Sequence, residues 1–209
     1  ASKRLIPHFY VTTAIDMTEA TELRREVNRT TPAGVKVSLN DMVTKAVAVA
    51  LVRVPQMNAT YENGRVVLHK RVNVGIAVAT DDGLVIPVVS DCQERSLVEI
   101  ATKTAELVER VREGRLSDAE YCGSTFTMSN LGMYPVESFA AVIHPPQVGI
   151  LAVGRVQEEA IVKEGEVRAG RVMRVTLSCD HRAVDGVDAA KFLGELKKSL
   201  ESPRALVAE

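Results

Sequence analysis

The 209-residue sequence predicts an α+β layer sandwich. Three observations lead there. Strand-like alternation and helix-like spacing are interleaved along the chain without the strict βαβ rhythm of a doubly wound sheet. Hydrophobic residues make up 46% of the sequence, with 32 Val and 23 Ala but only four Tyr, four Phe and no Trp, which is enough to bury a core without staples. No internal repeat, low-complexity tract or Pro/Ser/Gly-rich linker divides residues 1–209, so one domain is expected.

Each element follows from a local signal. Residues 6–15 alternate, with Phe9, Val11, Thr13 and Ile15 on one side and Tyr10, Thr12 and Ala14 on the other, the period of a strand. Asp16 with Glu19 reads as a capping box, and Ala20, Leu23 and Val27 follow at helical spacing. Ser38 with Asp41 opens a second helix over 42–54, apolar nearly all round and therefore buried, which Pro55 ends. Asn63-Gly64, between the runs 59–61 and 66–68, is the strongest short-range hairpin signal. Two Val/Ile-rich runs, 72–80 and 84–89, joined by Asp81-Asp82-Gly83, form another strand pair. Ser96 with Glu99 starts a long amphipathic helix through Leu97, Ile100, Leu107 and Val111 that Gly114 closes, and Ser117 with Glu120 starts a short one. Strands are then expected at 125–129, 138–143, 148–153, 160–163 and 172–179, before a last helix over 187–200.

Charge and composition narrow the function classes. The 26 Lys and Arg against 27 Asp and Glu, a net charge of -1, leave no basic surplus for wrapping nucleic acid. The longest dense apolar run, 42–54, is interrupted by Thr44, Lys45 and Arg53 and falls short of the ~20 residues of a membrane span. Neither a nucleic-acid nor a membrane partner is expected. Three cysteines, Cys92, Cys122 and Cys179, are an odd number without CxxC spacing and read as reduced thiols of a cytosol-like compartment.

The densest polar cluster is 178–186, Ser-Cys-Asp-His-Arg-Ala-Val-Asp-Gly, between the last alternating strand and the last helix. A loop at a strand end is rigidly held yet accessible. His181 can serve there as a general base, and Asp185, four residues on, can accept a hydrogen bond nearby. The plainer alternative makes Asp185 a helix N-cap and His181 a surface loop residue. A metal centre from Cys179, Asp180 and His181 is disfavoured, because neighbouring strand residues point to opposite faces and no second ligand cluster occurs. A serine hydrolase lacks its G-x-S-x-G elbow, and Gly149 and Gly154 fit neither phosphate-loop pattern. His8 and His144 read as structural residues, and His69 as a solvated one.

The 180–186 segment resembles the H-x-x-x-D-G signature of the dihydrolipoamide acyltransferases, the catalytic cores of 2-oxoacid dehydrogenase complexes, which are related to chloramphenicol acetyltransferase. Residues 6–10 (IPHFY), 73–87 (NVGIAVATDDGLVIP), 126–133 (FTMSNLGM) and 145–154 (PPQVGILAVG) are similar to that family in its order and over nearly the full chain. The IPHFY and SNLGM segments look most like the acetyl-transferring, pyruvate-type members.

The resemblance implies a chloramphenicol acetyltransferase-like fold, a mixed β-sheet flanked by helices, and an acyl, most simply acetyl, transfer between the dihydrolipoyl thiol and coenzyme A, with no metal. In its terms His181 is the general base for the attacking thiol, Ser129 stabilises the oxyanion, and Asp185 organises the loop. Asn130, Gly132 and Met133 lie in the coenzyme A and lipoyl channel. It also implies trimers with the active site between neighbours, built into cubic or dodecahedral shells. The lipoyl group is then carried on a separate domain, and the 2-oxoacid dehydrogenase and dihydrolipoamide dehydrogenase components are reached through a longer chain. Such a protein works in the bacterial cytoplasm or the mitochondrial matrix. Lipoyl and peripheral-subunit-binding domains are absent from residues 1–209, so an isolated core domain is expected. A non-catalytic scaffold and a free-standing small-molecule acetyltransferase are the alternatives.

Overall fold

The alternation of residues 6–15 becomes the edge of the main sheet. In the computed structural model, which describes residues 2–80 and 83–207, a single helical turn, α1 (Ser2–Leu5), leads into β1 (His8–Asp16). Ile15 lies in the core and Phe9 and Val11 pack against it, as the period-2 pattern requires. β1 pairs antiparallel with β9 (Glu166–Asp180), which pairs antiparallel with β8 (Gly149–Lys163). β8 runs parallel to β7 (Phe126–Asn130), and β7 parallel to β4 (Val74–Thr80). Two short strands, β5 (Gly83–Val85) and β6 (Val88–Val89), add to β4 and complete a mixed seven-stranded sheet. β2 (Ala59–Glu62) and β3 (Arg65–Leu68) form a separate hairpin, whose turn residues Asn63 and Gly64 both have positive φ, 51° and 77°, as a type I′ turn demands.

The helices α2 (Thr18–Thr30), α3 (Leu39–Arg53), α4 (Leu97–Arg112) and α6 (Gly186–Glu201) supply the second layer, with the single turn α5 (Asp118–Tyr121) between α4 and β7. One core cluster joins them to the sheet, and Phe126 of β7 packs against Phe192 of α6 with ring centroids 5.4 Å apart and the ring planes tilted by 43°. α3 is buried along most of its length, as its all-round apolar sequence predicts, and even Lys45 is buried, its Nζ donating to the Arg95 carbonyl at 2.8 Å. Ser38 with Asp41 and Ser96 with Glu99 form the expected capping boxes. Gly114, at φ 63°, ends α4 in a Schellman arrangement, with Arg115 N–H donating to the Arg110 carbonyl.

The opposite face of the sheet carries Thr12, Thr127, Ser129, Thr176 and Ser178, and the segment 131–148 crosses it. There Ile143 packs with Ile6 and Ile150 in a second, smaller cluster.

Four local expectations are corrected. Residues 138–143 are not a strand, because their polar backbone groups are taken by side chains: Ser2 Oγ and Ser178 Oγ donate to the carbonyls of Ile143 and Ala141, and the Ile143 N–H donates to His8 Nε2. Residues 148–153 and 160–163 belong to one 15-residue strand, β8, interrupted only by a register shift between Val153 and Val156. β9 starts at Glu166, well before 172, after a turn with positive φ at Glu164 and Gly165. Asp16 remains paired with Val172 in the sheet, so α2 starts at Thr18 and Asp16 Oδ1 accepts from the Thr18 N–H at 3.0 Å in place of a capping box. Asp81 and Asp82 of the expected turn lie outside the described residues.

Candidate active site

At the end of β9, strand alternation sends Cys179 into the helix-side core and Asp180 to the other face. Asp180 is 1% exposed. Arg182, two residues on, meets its carboxylate in a fork, Nε to Oδ1 at 2.9 Å and Nη2 to Oδ2 at 2.6 Å, and the Arg182 N–H donates to Oδ1 at 3.0 Å. The Asp180 carbonyl accepts from the Ala183 and Val184 N–H groups, which closes the turn. His181 lies inside this turn. Its N–H donates to the Pro7 carbonyl at 3.1 Å, its ring leans on Phe9 with centroids 4.7 Å apart, and the residue is exposed to solvent.

Asp185 caps α6. Its Oδ1 accepts from the N–H groups of Val187 at 2.8 Å and Asp188 at 3.0 Å. The Asp188 and Val187 N–H groups hold its carboxyl below the usual carboxylate range, with weaker attraction from Lys191 and His181. The capping role offered as the plainer alternative is therefore present, and the same carboxylate also sits within the field of His181.

Ser129 is half-buried on β7, between Ala77 of β4 and Ala152 of β8. It points away from the helices, since its neighbour Met128 lies in the core. Beyond it, Asn130 Oδ1 accepts from the Gly132 N–H at 2.7 Å and its Nδ2 donates to Asn40 Oδ1 at 2.8 Å, so the amide shapes the turn. Asn130, Gly132 and the 74%-exposed Met133 line a cleft of about 370 Å³ with Leu39, Val43 and Met173.

One copy of the chain does not bring Ser129 to His181. Ser129 pairs with Ala152, and Ala152 with Thr176. His181 lies five positions beyond Thr176 and two strands across, on the order of 15–20 Å away at ~3.3 Å per residue and ~4.8 Å per strand. Asp185, in contrast, starts the helix that follows the His181 turn.

The remaining histidines divide differently from expectation. His8 is structural as read, with Nδ1 2.9 Å from the Ile6 carbonyl and Nε2 accepting from the Ile143 N–H at 3.2 Å. His69 is not simply solvated, because its Nε2 lies 3.1 Å from Thr60 Oγ1. His144 is exposed and not packed. The three cysteines are free. Burial pushes the Cys92 thiol up to about 11 and the Cys179 thiol up to about 12, which makes both poor nucleophiles. Among the described residues no three His, Cys, Asp or Glu side chains are grouped to hold a metal ion, and no helix is long and apolar enough to cross a membrane.

The sequence reading left out Tyr61, whose ring lies 4.3 Å from the Arg182 guanidinium. An Asp-x-Arg spacing at a strand end is a detectable signal for the ion pair. Nothing local in the sequence signals that Tyr61, on a different hairpin, would lie against it.

A family model described as 2-oxoacid dehydrogenases acyltransferase (catalytic domain) matches residues 1–208. The chain belongs to this family. Among relatives of the acyltransferase domain, the mitochondrial dihydrolipoyllysine-residue acetyltransferase component of the pyruvate dehydrogenase complex from Schizosaccharomyces pombe is 42% identical over 205 residues, 97% of this chain and 42% of the relative. Two solved structures are each 30% identical with a TM-score of 0.92, covering 98% of this chain and 86% of theirs. One is the cubic core of a pyruvate dehydrogenase multienzyme complex. The other belongs to a study of the role of a serine, a histidine and an asparagine in the catalytic mechanism of Azotobacter vinelandii dihydrolipoamide acetyltransferase. Chloramphenicol acetyltransferase, at 15% identity and a TM-score of 0.62, shares the fold. The chain spans about half the length of the curated relatives it matches.

Proposed function

We propose that this chain is a single acyltransferase core domain that moves an acetyl group between a dihydrolipoyl thiol and coenzyme A. The observation that carries the reading is the His181 turn: an exposed imidazole on a backbone fixed from both sides, in a chain of the acyltransferase family. A free thiol near pKa 8.5 is only a few per cent thiolate at neutral pH, so a positioned base accelerates its attack on a thioester. His181 takes that proton and returns it to the thiolate released when the tetrahedral intermediate collapses and the original C–S bond breaks. Ser129 donates its hydroxyl to the oxyanion of the tetrahedral intermediate. Asp185 holds the loop.

The spacings from Ser129 to His181 and from His181 to Asp185 equal those between the serine, histidine and asparagine studied in the Azotobacter enzyme. Asp185 stands where that enzyme has asparagine. Asp and Asn cap helices equally well, which fits an organising role better than a proton-carrying one.

The distance between Ser129 and His181 within one chain calls for a second copy to complete the site, as in a trimer with its active sites between subunits. Such trimers would build a cubic or dodecahedral shell, and the cubic core of the 30%-identical relative favours the cubic one. Asn130, Gly132 and Met133 would line the path of coenzyme A or of the lipoyl arm. That arm is carried on a separate lipoyl domain of a protein about twice this length, which would also bring the 2-oxoacid dehydrogenase and dihydrolipoamide dehydrogenase components. Such a protein would work in the bacterial cytoplasm or the mitochondrial matrix, a reading supported by bacterial relatives and by one named as mitochondrial. An acyl-CoA panel with dihydrolipoamide as acceptor tests the activity: acetyl-CoA should be the fastest donor, and no transfer from any donor overturns the reading.

A further inference from the structure

The two charged residues that flank His181 have no part in the proton transfer itself. Asp180 is 1% exposed and carries a carboxylate, a placement that is costly unless the charge is met. Arg182 meets it with the two-point fork described above, and the 35%-exposed Arg182 side chain continues outward to two further segments. Its guanidinium lies 4.3 Å from the Tyr61 ring centroid, and its Nη1 is 3.4 Å from the Leu5 carbonyl. Tyr61 is itself anchored, its N–H donating to the Pro146 carbonyl at 2.8 Å. The Asp180 N–H donates to the Val148 carbonyl at 2.9 Å. The residues on either side of His181 are thus bound to each other and to three separate parts of the chain.

An ion pair with a buried carboxylate is a poor source of net stability, since apolar or neutral replacements of the same volume are often no worse. It is a good source of geometry, because the carboxylate and the guanidinium meet in a planar, two-point contact that admits one orientation. The backbone between two groups so joined cannot rotate without breaking the fork, and that backbone belongs to His181.

We propose that Asp180, Arg182 and Tyr61 form a clamp that positions His181 for the reaction, as positioning residues that touch neither substrate nor the reacting atoms. The inference rests on the assignment of His181 as the base. Misplacing a catalytic group by about 1 Å costs roughly 10²-fold in rate, so the clamp should act on turnover and not on substrate affinity.

The double variant Asp180→Asn/Arg182→Gln removes both charges while leaving two amides able to bond each other. Its thermal midpoint should stay close to the parent's, its kcat should fall by about 30- to 100-fold, and its KM values for coenzyme A and dihydrolipoamide should stay within about threefold. Arg182→Lys, which keeps the charge and loses the fork, should recover only part of the rate. A folded double variant with parental kcat overturns the proposal. If that variant does not fold, Tyr61→Leu removes the platform and leaves the buried pair: a fall in kcat at an unchanged midpoint supports the clamp, and parental kcat overturns it. The rate of His181 carbethoxylation by diethylpyrocarbonate, followed by mass spectrometry, reads the ring's setting without any turnover. If the parent transfers no acetyl group the functional reading fails by itself. The clamp is then judged on the carbethoxylation rate, which should change about threefold or more in the double variant and which overturns the clamp if it does not change.

Discussion

His181 combines an exposed ring with a backbone that cannot move, and the two properties have different owners. Its exposure comes from standing just past the end of β9, and its fixity from hydrogen bonds made by Asp180, Pro7, Ala183 and Val184. Removing the ring should therefore affect chemistry without affecting the fold. His181→Ala is expected to lower kcat for acetyl transfer by about 10²–10⁴-fold, and Ser129→Ala by about 10²–10³-fold, both with unchanged thermal midpoints in calorimetry. A histidine and an aspartate four apart at a strand-to-helix junction were legible as a polar pattern, while their catalytic reading, like that of Ser129, rests on the family resemblance. What could not be read was that Asp185 does both, capping α6 while standing in the field of His181, since the sequence offered the two as alternatives and their coexistence depends on where α6 begins.

Among the elements, the caps were the most legible features. Ser38, Ser96 and Ser117 each stand three residues before an acid that turns back on them, an arrangement set by residues adjacent in sequence. Asp16 followed the same pattern and failed, because its backbone was already committed to Val172 in the sheet. Glu120 gives the caps a pH signature. The Ser117 N–H and hydroxyl, aided by Arg110, lower its pKa from an ordinary 4.5 to about 2. The folded state therefore binds this proton less readily than the unfolded chain. Its contribution is present above about pH 4.5 and is lost as the pH falls toward about 2. In melting curves taken across that window, the advantage of the parent over Glu120→Gln should shrink as the pH drops.

At the scale of the whole molecule, the sheet holds its helices through a few large contacts. Phe126 and Phe192 are both fully buried and packed against each other as a tilted ring pair. Phe126→Ala should cost about 3–5 kcal/mol in urea unfolding, the transfer and cavity terms together. The separation of Ser129 from His181 leads to a prediction about assembly. His181→Ala and Ser129→Ala proteins, each nearly inactive alone, should regain activity when dissociated and reassembled together, because some interfaces then pair an intact serine with an intact histidine. Mixtures no more active than their components would show that each chain completes its own site.

The sequence by itself determined what depends on neighbours along the chain. These features are the type I′ turn at Asn63-Gly64, the buried character of α3, the start of α3 and α4 at their serines, and the polar loop that presents His181. Only the tertiary structure decided what depends on residues brought together from afar. β8 runs unbroken through Gly154 because a register shift absorbs the irregularity, and residues 138–143 lie across the sheet because distant side chains take up their backbone groups. Tyr61 reaches Arg182 from another hairpin, and the sheet register keeps Ser129 away from His181. Local signals arise from interactions within a few residues, where spacing alone sets the geometry. The site depends on strand order and register, which are settled only when the whole core packs.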